Sequence, residues 1–312
     1  MRAMQGLVWQ PWVKRLVLVA AVLPVAAVHG LFGQPEAHPA FAVASIKQNP
    51  SNWNERTQHP MGAGYQPGGR LTATNASLKL LIQFAYADYD DSLLGHSLPL
   101  LASQVVGGPS WMDSVGYDIE AKPEIPTDPK HAWLMLQTLL ADRFKLALHR
   151  ETRDLPIYDL TAAKGGLKLP PPKDVECVSF PPGTTPHYVP GKVDCGYVPL
   201  VMEPTGLRME GSKVHMADVI RELAMALGRP VLDQTGFTGE FDLHLSFVPD
   251  DALMGFPGYG GPDDPGGARP ASDRNLLNIF AALEEQLGLK LEPAKGPVEV
   301  LMVDRAERPA AN

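Results

Sequence analysis

One pattern in this chain occurs twice, and it constrains the fold more than any other feature. Leu71, Leu78, Leu81 and Ile82 in the first half are matched at the same spacings by Met209, Met216, Val219 and Ile220 in the second. In each copy an extended stretch meets a polar break and then the start of an amphipathic helix. Tyr117, Asp118 and Ile119 are echoed by Phe241, Asp242 and Leu243. Leu140, Phe144, Leu146 and Leu148 are echoed, spacing for spacing, by Leu283, Leu287, Leu289 and Leu291. Three matching blocks in one order predict an α+β fold made from one unit used twice. Each unit reads β-α-β-β-α-β-β, a small sheet with two helices on one face.

The domain plan follows. Residues 41–166 form the first unit, 167–195 a proline-rich linker, and 196–308 the second unit, interrupted by a Gly/Pro-rich insertion at 249–272 expected to be a mobile loop. A strand over 41–47 would turn Phe41, Val43 and Ile46 inward. Asn75 or Ser77 would cap the first long helix. A helix over 131–144 would bury Trp133, Leu136, Leu140 and Phe144. Residues 145–151 and 156–163 then read as a hairpin-like pair of strands. In the second unit the helix is expected over 216–227, closed by Gly228 and Pro230. Asp273 would cap a last helix, and Leu289, Leu291 and residues 298–303 would make the final hairpin.

Export is written at the N-terminus. Residues 1–33 carry Arg2, Lys14 and Arg15 and no acid, and Lys14 and Arg15 directly precede an uncharged run over 16–28. Basic, then apolar, then small is the signature of a cleaved signal peptide, with mature protein starting between about Gly30 and Ala40. The alternative is an inner-membrane anchor over 16–32, although the run is short for a span. The only 2 cysteines, Cys177 and Cys195, most simply form one disulfide in an exported chain. A formal charge of -8 argues against a nucleic-acid partner.

No catalytic motif accompanies the repeat. The 9 histidines include no i, i+4 pair suited to a metalloprotease helix, and no serine-hydrolase elbow or phosphate-cradling loop occurs. No catalytic residue, metal ligand or cofactor site is assigned. Gly107 and Gly108 read as a turn, because Pro109 removes an amide an anion would need. Asp88, Asp90 and Asp91, and likewise Asp263 and Asp264, read as solvated acidic loops rather than calcium ligands. Asp118 and Asp242 read as structural groups that hold turns. Trp111 and Trp133 read as core or groove aromatics. The densest polar cluster is His149, Arg150, Glu151, Thr152 and Arg153. On a strand His149, Glu151 and Arg153 share one face. They are either an acid/base or anion site, or a charged strand edge guarded against aggregation.

These residues also carry two resemblances. Gly69-Arg70-Leu71, Gly107-Gly108-Pro109-x-Trp111, Leu139-Leu140-Ala141-Asp142-Arg143-Phe144 and Gly228-Arg229-Pro230-Val231 resemble an uncharacterised family of exported proteins abundant in soil bacteria, acidobacteria especially. That resemblance implies export and names no reaction. Similar domains sit on membrane metallopeptidase sensors, whose His-Glu-x-x-His motif this chain lacks. Each repeat is also similar to the short N-terminal domain of secretins and TonB-dependent receptors, through residues 216–227, Gly236, Gly239, Phe241 and residues 283–291. This implies a protein or peptide partner in the cell envelope. The leading reading is a non-enzymatic exported interaction module. The alternatives are an extracytoplasmic hydrolase with its site near His149, Glu151 and Arg153, or a ligand-sensing domain.

Overall fold

The computed structural model describes residues 38–50, 63–66, 68–87, 99–173, 177–178, 193–203, 206–248 and 277–310. Residues 1–33, read above as an export signal, Asp88, Asp90, Asp91, Asp263, Asp264, Asp273, most of the linker and the 249–272 insertion lie outside these residues. The elements run β1 (Val43–Gln48), β2 (Ala63–Gln66), β3 (Arg70–Ser77), α1 (Leu78–Ala85), β4 (Val105–Gly107), α2 (Trp111–Ser114), β5 (Gly116–Lys122), α3 (Pro129–Arg143) and β6 (Ala147–Ala162). They continue with β7 (Cys177–Val178), β8 (Val193–Asp194), β9 (Leu200–Glu203), β10 (Gly206–Val214), α4 (Met216–Leu227), β11 (Val231–Asp233), β12 (Phe241–Phe247), α5 (Ile279–Ala282) and β13 (Leu289–Arg305). The protein is a mixed α+β structure with more strand than helix.

An antiparallel sheet β1-β5-β3-β2 carries the first core. Alternating Leu71 and Ala73 on β3 face Ala121 and Ile119 on β5, so one side of the sheet is apolar and buried. Helix α1 starts where Ser77 Oγ accepts the Leu80 N–H at 3.2 Å, a side-chain cap. Its Leu78, Leu81 and Ile82, with Leu136, Leu140 and Phe144 around α3, fill that side. Trp133 is half-buried, stacked on Phe84 and edge-on to Tyr65. Ile46, opposite Ile119, is buried, but Val43 is 69% exposed, because three residues along a strand reverse the face and Val43 lies opposite the exposed Lys122 on the solvent side.

The second core lies on an antiparallel sheet β12-β10-β9. Met216, Val219, Leu223 and Ala226 of α4 pack on Met209, Phe241, Leu243 and Leu245. The helix stops at Gly228, whose φ of 60° closes the last turn. Here α5 is capped by Asn278, whose side chain accepts the Ala281 N–H, and it runs into a π-helical turn, Leu283–Leu287.

The two expected hairpins do not form. Residues 147–162 are one continuous strand, β6, and residues 289–305 are another, β13. They pair antiparallel from Leu289↔Ala162 to Val303↔Leu148 without a break in register. Thr152, Arg153, Asp154 and Leu155 contain no Asn-Gly or Asp-Gly pair to favour a tight hairpin, and pairing with β13 along the whole length keeps the strand straight. A third sheet, β11-β6-β13-β4, results. β4 lies parallel to Leu301, Met302 and Val303 of β13, and β11 lies parallel to Tyr158, Asp159 and Leu160 of β6. Each long strand therefore serves both cores. Leu301 and Val303, from the end of the chain, are buried in the first core, and Leu160 is buried in the second. Burial of a Leu or Val is worth about 1.5–3 kcal/mol, so the two halves hold one another together.

Candidate functional site

The long ribbon also carries an exposed polar cluster. In β6 the amide of Tyr158 donates to Pro230 O, and Leu160 O accepts from Gln234 N, so even-numbered residues turn their backbone groups toward β11. Because alternate residues point oppositely and the register is unbroken, Leu148, Arg150, Thr152, Asp154 and Pro156 turn theirs to the same side, Pro156 without an amide to offer. Among the described residues no strand pairs with that side over 147–157. The outer side of β13 differs. Leu301 and Val303 face β4, so the odd-numbered Pro293 and Pro297 also face outward, where a proline blocks strand addition.

His149, Glu151 and Arg153 do meet on one face of β6. Arg153 Nε donates to Glu151 Oε1 at 2.9 Å, His149 Nε2 lies 3.8 Å from Glu151 Oε2, and His149 Nδ1 lies 3.0 Å from Asp304 Oδ2. Asp304 sits where the β6–β13 register shifts, between Val303 and Arg305. On the opposite face Arg150 pairs with Glu299. The hydrogen bond from Arg153 holds the Glu151 carboxyl below its usual range, against a small burial effect, with the charges of Arg153 and His149 adding to it. His149 is 55% exposed, so the chain of groups is solvated. Asp304 and Glu299 are missed by local reading, since only the antiparallel register brings them beside β6.

Asp118 and Asp242 act as clasps. In β3 the register shifts between Ala73 and Ala76, and Asn75 adopts φ 51°. Asp118 Oδ1 accepts the Asn75 N–H at 2.8 Å and the Asn49 side-chain amide at 2.8 Å. In β10 the shift falls between Gly211 and Val214, and Lys213 adopts φ 52°. Asp242 Oδ1 accepts from Lys213 N at 3.2 Å and Ser212 Oγ at 2.9 Å, while Oδ2 accepts from Lys173 N at 2.9 Å. Burial pushes the Asp242 carboxyl up, but these hydrogen bonds and the Lys173 charge outweigh it, and its pKa falls below the ordinary value. Both carboxylates hold left-handed residues that lack the freedom of glycine.

Other sequence-marked residues are structural. Gly107 and Gly108 have φ of 78° and 73° and form a turn against Val303. Trp111 is edge-on to Tyr117, with the Arg308 guanidinium over its ring. Cys177 and Cys195 are joined by a disulfide, and the Cys195–Gly196 segment is tied to Ser212 of β10. Glu222 on α4 is a half-buried carboxyl whose pKa is raised to about 7 by burial, against the opposing charge of Arg221 and with Asp218 adding to the rise. A cavity of about 230 Å³ lies between Leu100, Leu101 and the Arg221, Ala224 and Met225 face of α4. Among the described residues no group of three or more His, Cys, Asp or Glu could hold a metal ion, and no helix is long and apolar enough to cross a membrane.

Fold and surface together define a mixed α+β protein with half-buried structural carboxylate clasps and an exposed polar cluster along one strand of a shared ribbon. The chain belongs to the family described as protein of unknown function DUF3738, which matches residues 79–306. No curated protein and no solved structure matches it.

Proposed function

We propose that this protein is an exported, non-enzymatic interaction module in which the outer edge of β6 receives an extended polypeptide strand. The observation that carries this reading is the stretch over 147–157, with which no described strand pairs on its outer side and where only Pro156, near one end, lacks an outward amide, whereas both Pro293 and Pro297 face outward from the middle of β13. An open edge offers main-chain hydrogen bonds to a strand of suitable register, and the flanking side chains select it. Export is supported by the basic-apolar-small pattern of residues 1–33 and by the disulfide, which suits an oxidising compartment. The protein would then work in the periplasm or outside the cell, or at the inner membrane if residues 16–32 stay attached. Its partner would be a protein or peptide of the cell envelope.

The two halves are read as one α+β unit used twice, each sharing its last strand with the other. The shared order strand, helix, short parallel strand, strand, helix, long strand supports this, as do the paired clasps of Asp118 and Asp242. So does the left-handed residue before each long strand, Lys145 at φ 51° and Gly288 at φ 61°. Likeness to the short domains of secretins and TonB-dependent receptors remains part of this proposal.

A photo-crosslinking amino acid at position 152, compared with one at position 295 on the guarded side, tests the edge. Polypeptide adducts at 152 and none at 295 are expected in protein recovered from the envelope. Equal labelling, or none at 152, overturns the reading. One observation favours the hydrolase alternative, the run of groups from Asp304 through His149 to Glu151. Replacing His149, Glu151 and Arg153 together by Ala would then cost any turnover about a hundredfold or more.

A further inference from the structure

We infer that the strand received by this edge is the β6 strand of a second copy of the chain, paired antiparallel about a two-fold axis through Thr152. The inference rests on the edge-pairing reading and names its occupant. Two independent observations carry it. The first is length and position. The open stretch, 147–157, is bounded at one end by β11, which begins beside Tyr158, and at the other by the turn at Lys145 that precedes β6. Its midpoint is Thr152, so a second identical stretch laid antiparallel fills the gap from end to end.

The second is charge. About Thr152 the sequence is Arg150, Glu151, Thr152, Arg153, Asp154. Antiparallel pairing centred there sets Arg150 opposite Asp154 of the second copy, and Glu151 opposite Arg153 of the second copy. Opposite charges meet on both faces, and each pair occurs twice by symmetry. Centring on Glu151 instead would set two glutamates against each other, so the charge pattern selects one register. The backbone agrees with that register. Thr152, Arg150 and Asp154 are the residues whose N–H and C=O groups point outward, as a hydrogen-bonded pair requires. Their side chains are exposed. Pro156, which also faces outward, meets Leu148 at the fringe, where one missing amide costs least. The Arg153–Glu151 and Arg150–Glu299 contacts within one chain do not prevent this, because solvated carboxylates can accept from a second guanidinium.

Such an isologous contact is self-complementary and closes as a dimer. A paired edge alone buries less than a standard interface, so a dissociation constant of about 10–100 μM is expected. Sedimentation equilibrium of the purified, disulfide-intact protein over that range tests it. Wild type is expected to dimerise. Thr152→Pro removes an outward amide, a change this ribbon already tolerates at Pro156, Pro293 and Pro297, and is expected to leave a monomer with unchanged circular dichroism. Glu151→Arg sets Arg against Arg in both symmetric pairs and is expected to weaken association about tenfold. Combining it with Arg153→Glu is expected to restore association. A wild type that stays monomeric at several hundred micromolar overturns the inference, and so does a double variant no better than the single one. If the chain is monomeric but position 152 still crosslinks to another polypeptide, the edge reading stands and this inference falls. If neither occurs, both fall.

Discussion

Leu160→Ala should destabilise the half of the molecule that does not contain it in sequence. Leu160 belongs to the strand that ends the first half, yet its side chain is fully buried in the second core, among residues of β10, α4 and β12. Truncating a buried leucine costs about 2–5 kcal/mol, and a site packed from several sides sits near 3 kcal/mol. With a urea slope of about 2–3 kcal/mol/M, the midpoint should fall by about 1–1.5 M. The informative assay is tryptophan fluorescence, because the 5 tryptophans are Trp9, Trp12, Trp53, Trp111 and Trp133. Trp133 packs against Phe84 and Tyr65 in the first core, far along the chain from α4 and β12. If β6 and β13 couple the cores as their exchange implies, fluorescence and far-ultraviolet circular dichroism will shift together in one transition. Leu301→Ala, which opens the first core from the end of the chain, should give the same single transition. A fluorescence midpoint unmoved by Leu160→Ala, with a separate shifted transition in circular dichroism, would refute the coupling and restore two independent domains.

Further outcomes are expected at the clasp, the helix, the disulfide and the polar cluster. Asp242→Asn should cost about 1–3 kcal/mol at pH 7, since a charged acceptor of Lys213 N, Ser212 Oγ and Lys173 N is lost. The folded pKa of Asp242 is lowered, so its stabilisation is present above the ordinary carboxyl range and fades as pH falls through the folded value. Chemical denaturation at pH 7 and pH 3 should therefore show a smaller difference at pH 3. Glu222 has the opposite sign. Its folded pKa of about 7 exceeds the ordinary 4.5, so the folded protein holds a proton the unfolded chain has released, and stability falls as pH rises across that window. Glu222→Gln should raise stability at pH 8 by about 1–2 kcal/mol and change little at pH 4, as read from the same denaturation curves. Reducing Cys177–Cys195, separated by 18 residues, should lower stability by about 3 kcal/mol, measured by unfolding with and without a phosphine reductant. Replacing His149, Glu151 and Arg153 together by Ala should leave the thermal midpoint nearly unmoved, because these groups are solvated and exposed ion pairs contribute little.

Local signals in the chain marked α1, α3 and α4, but not α2, nor Asn278 as the cap of α5. The sequence reads Met216, Ile220, Leu223 and Leu227 as the inward stripe of α4 and Gly228 as its end; Met216 and Leu223 are buried as read, whereas Ile220 and Leu227 are only partly buried and Val219 and Ala226 take their places. Those features depend on residues within one or two turns, so periodicity and side-chain caps carry them. The cysteine pair was legible for a related reason, since two cysteines permit a single intrachain connection. A clasping role for Asp118 and Asp242 was legible from their matched places, although Asn75 and Lys213 as the residues they hold were not.

What the sequence by itself determined, then, was an α+β chain with apolar faces in a particular order. Tertiary structure alone decided where the long strands go. A run of alternating residues such as 147–162 has the same local pattern whether it folds back on itself or continues straight. The choice was made by β13, about 140 residues away along the chain, whose Val298, Val300, Leu301 and Val303 pair with β6 along its length. The same register placed Asp304 beside His149, set Glu299 against Arg150 and left one side of β6 open while prolines face outward from β13. Strand pairing is set by contacts distant in sequence, and no periodicity read along one segment contains its partner.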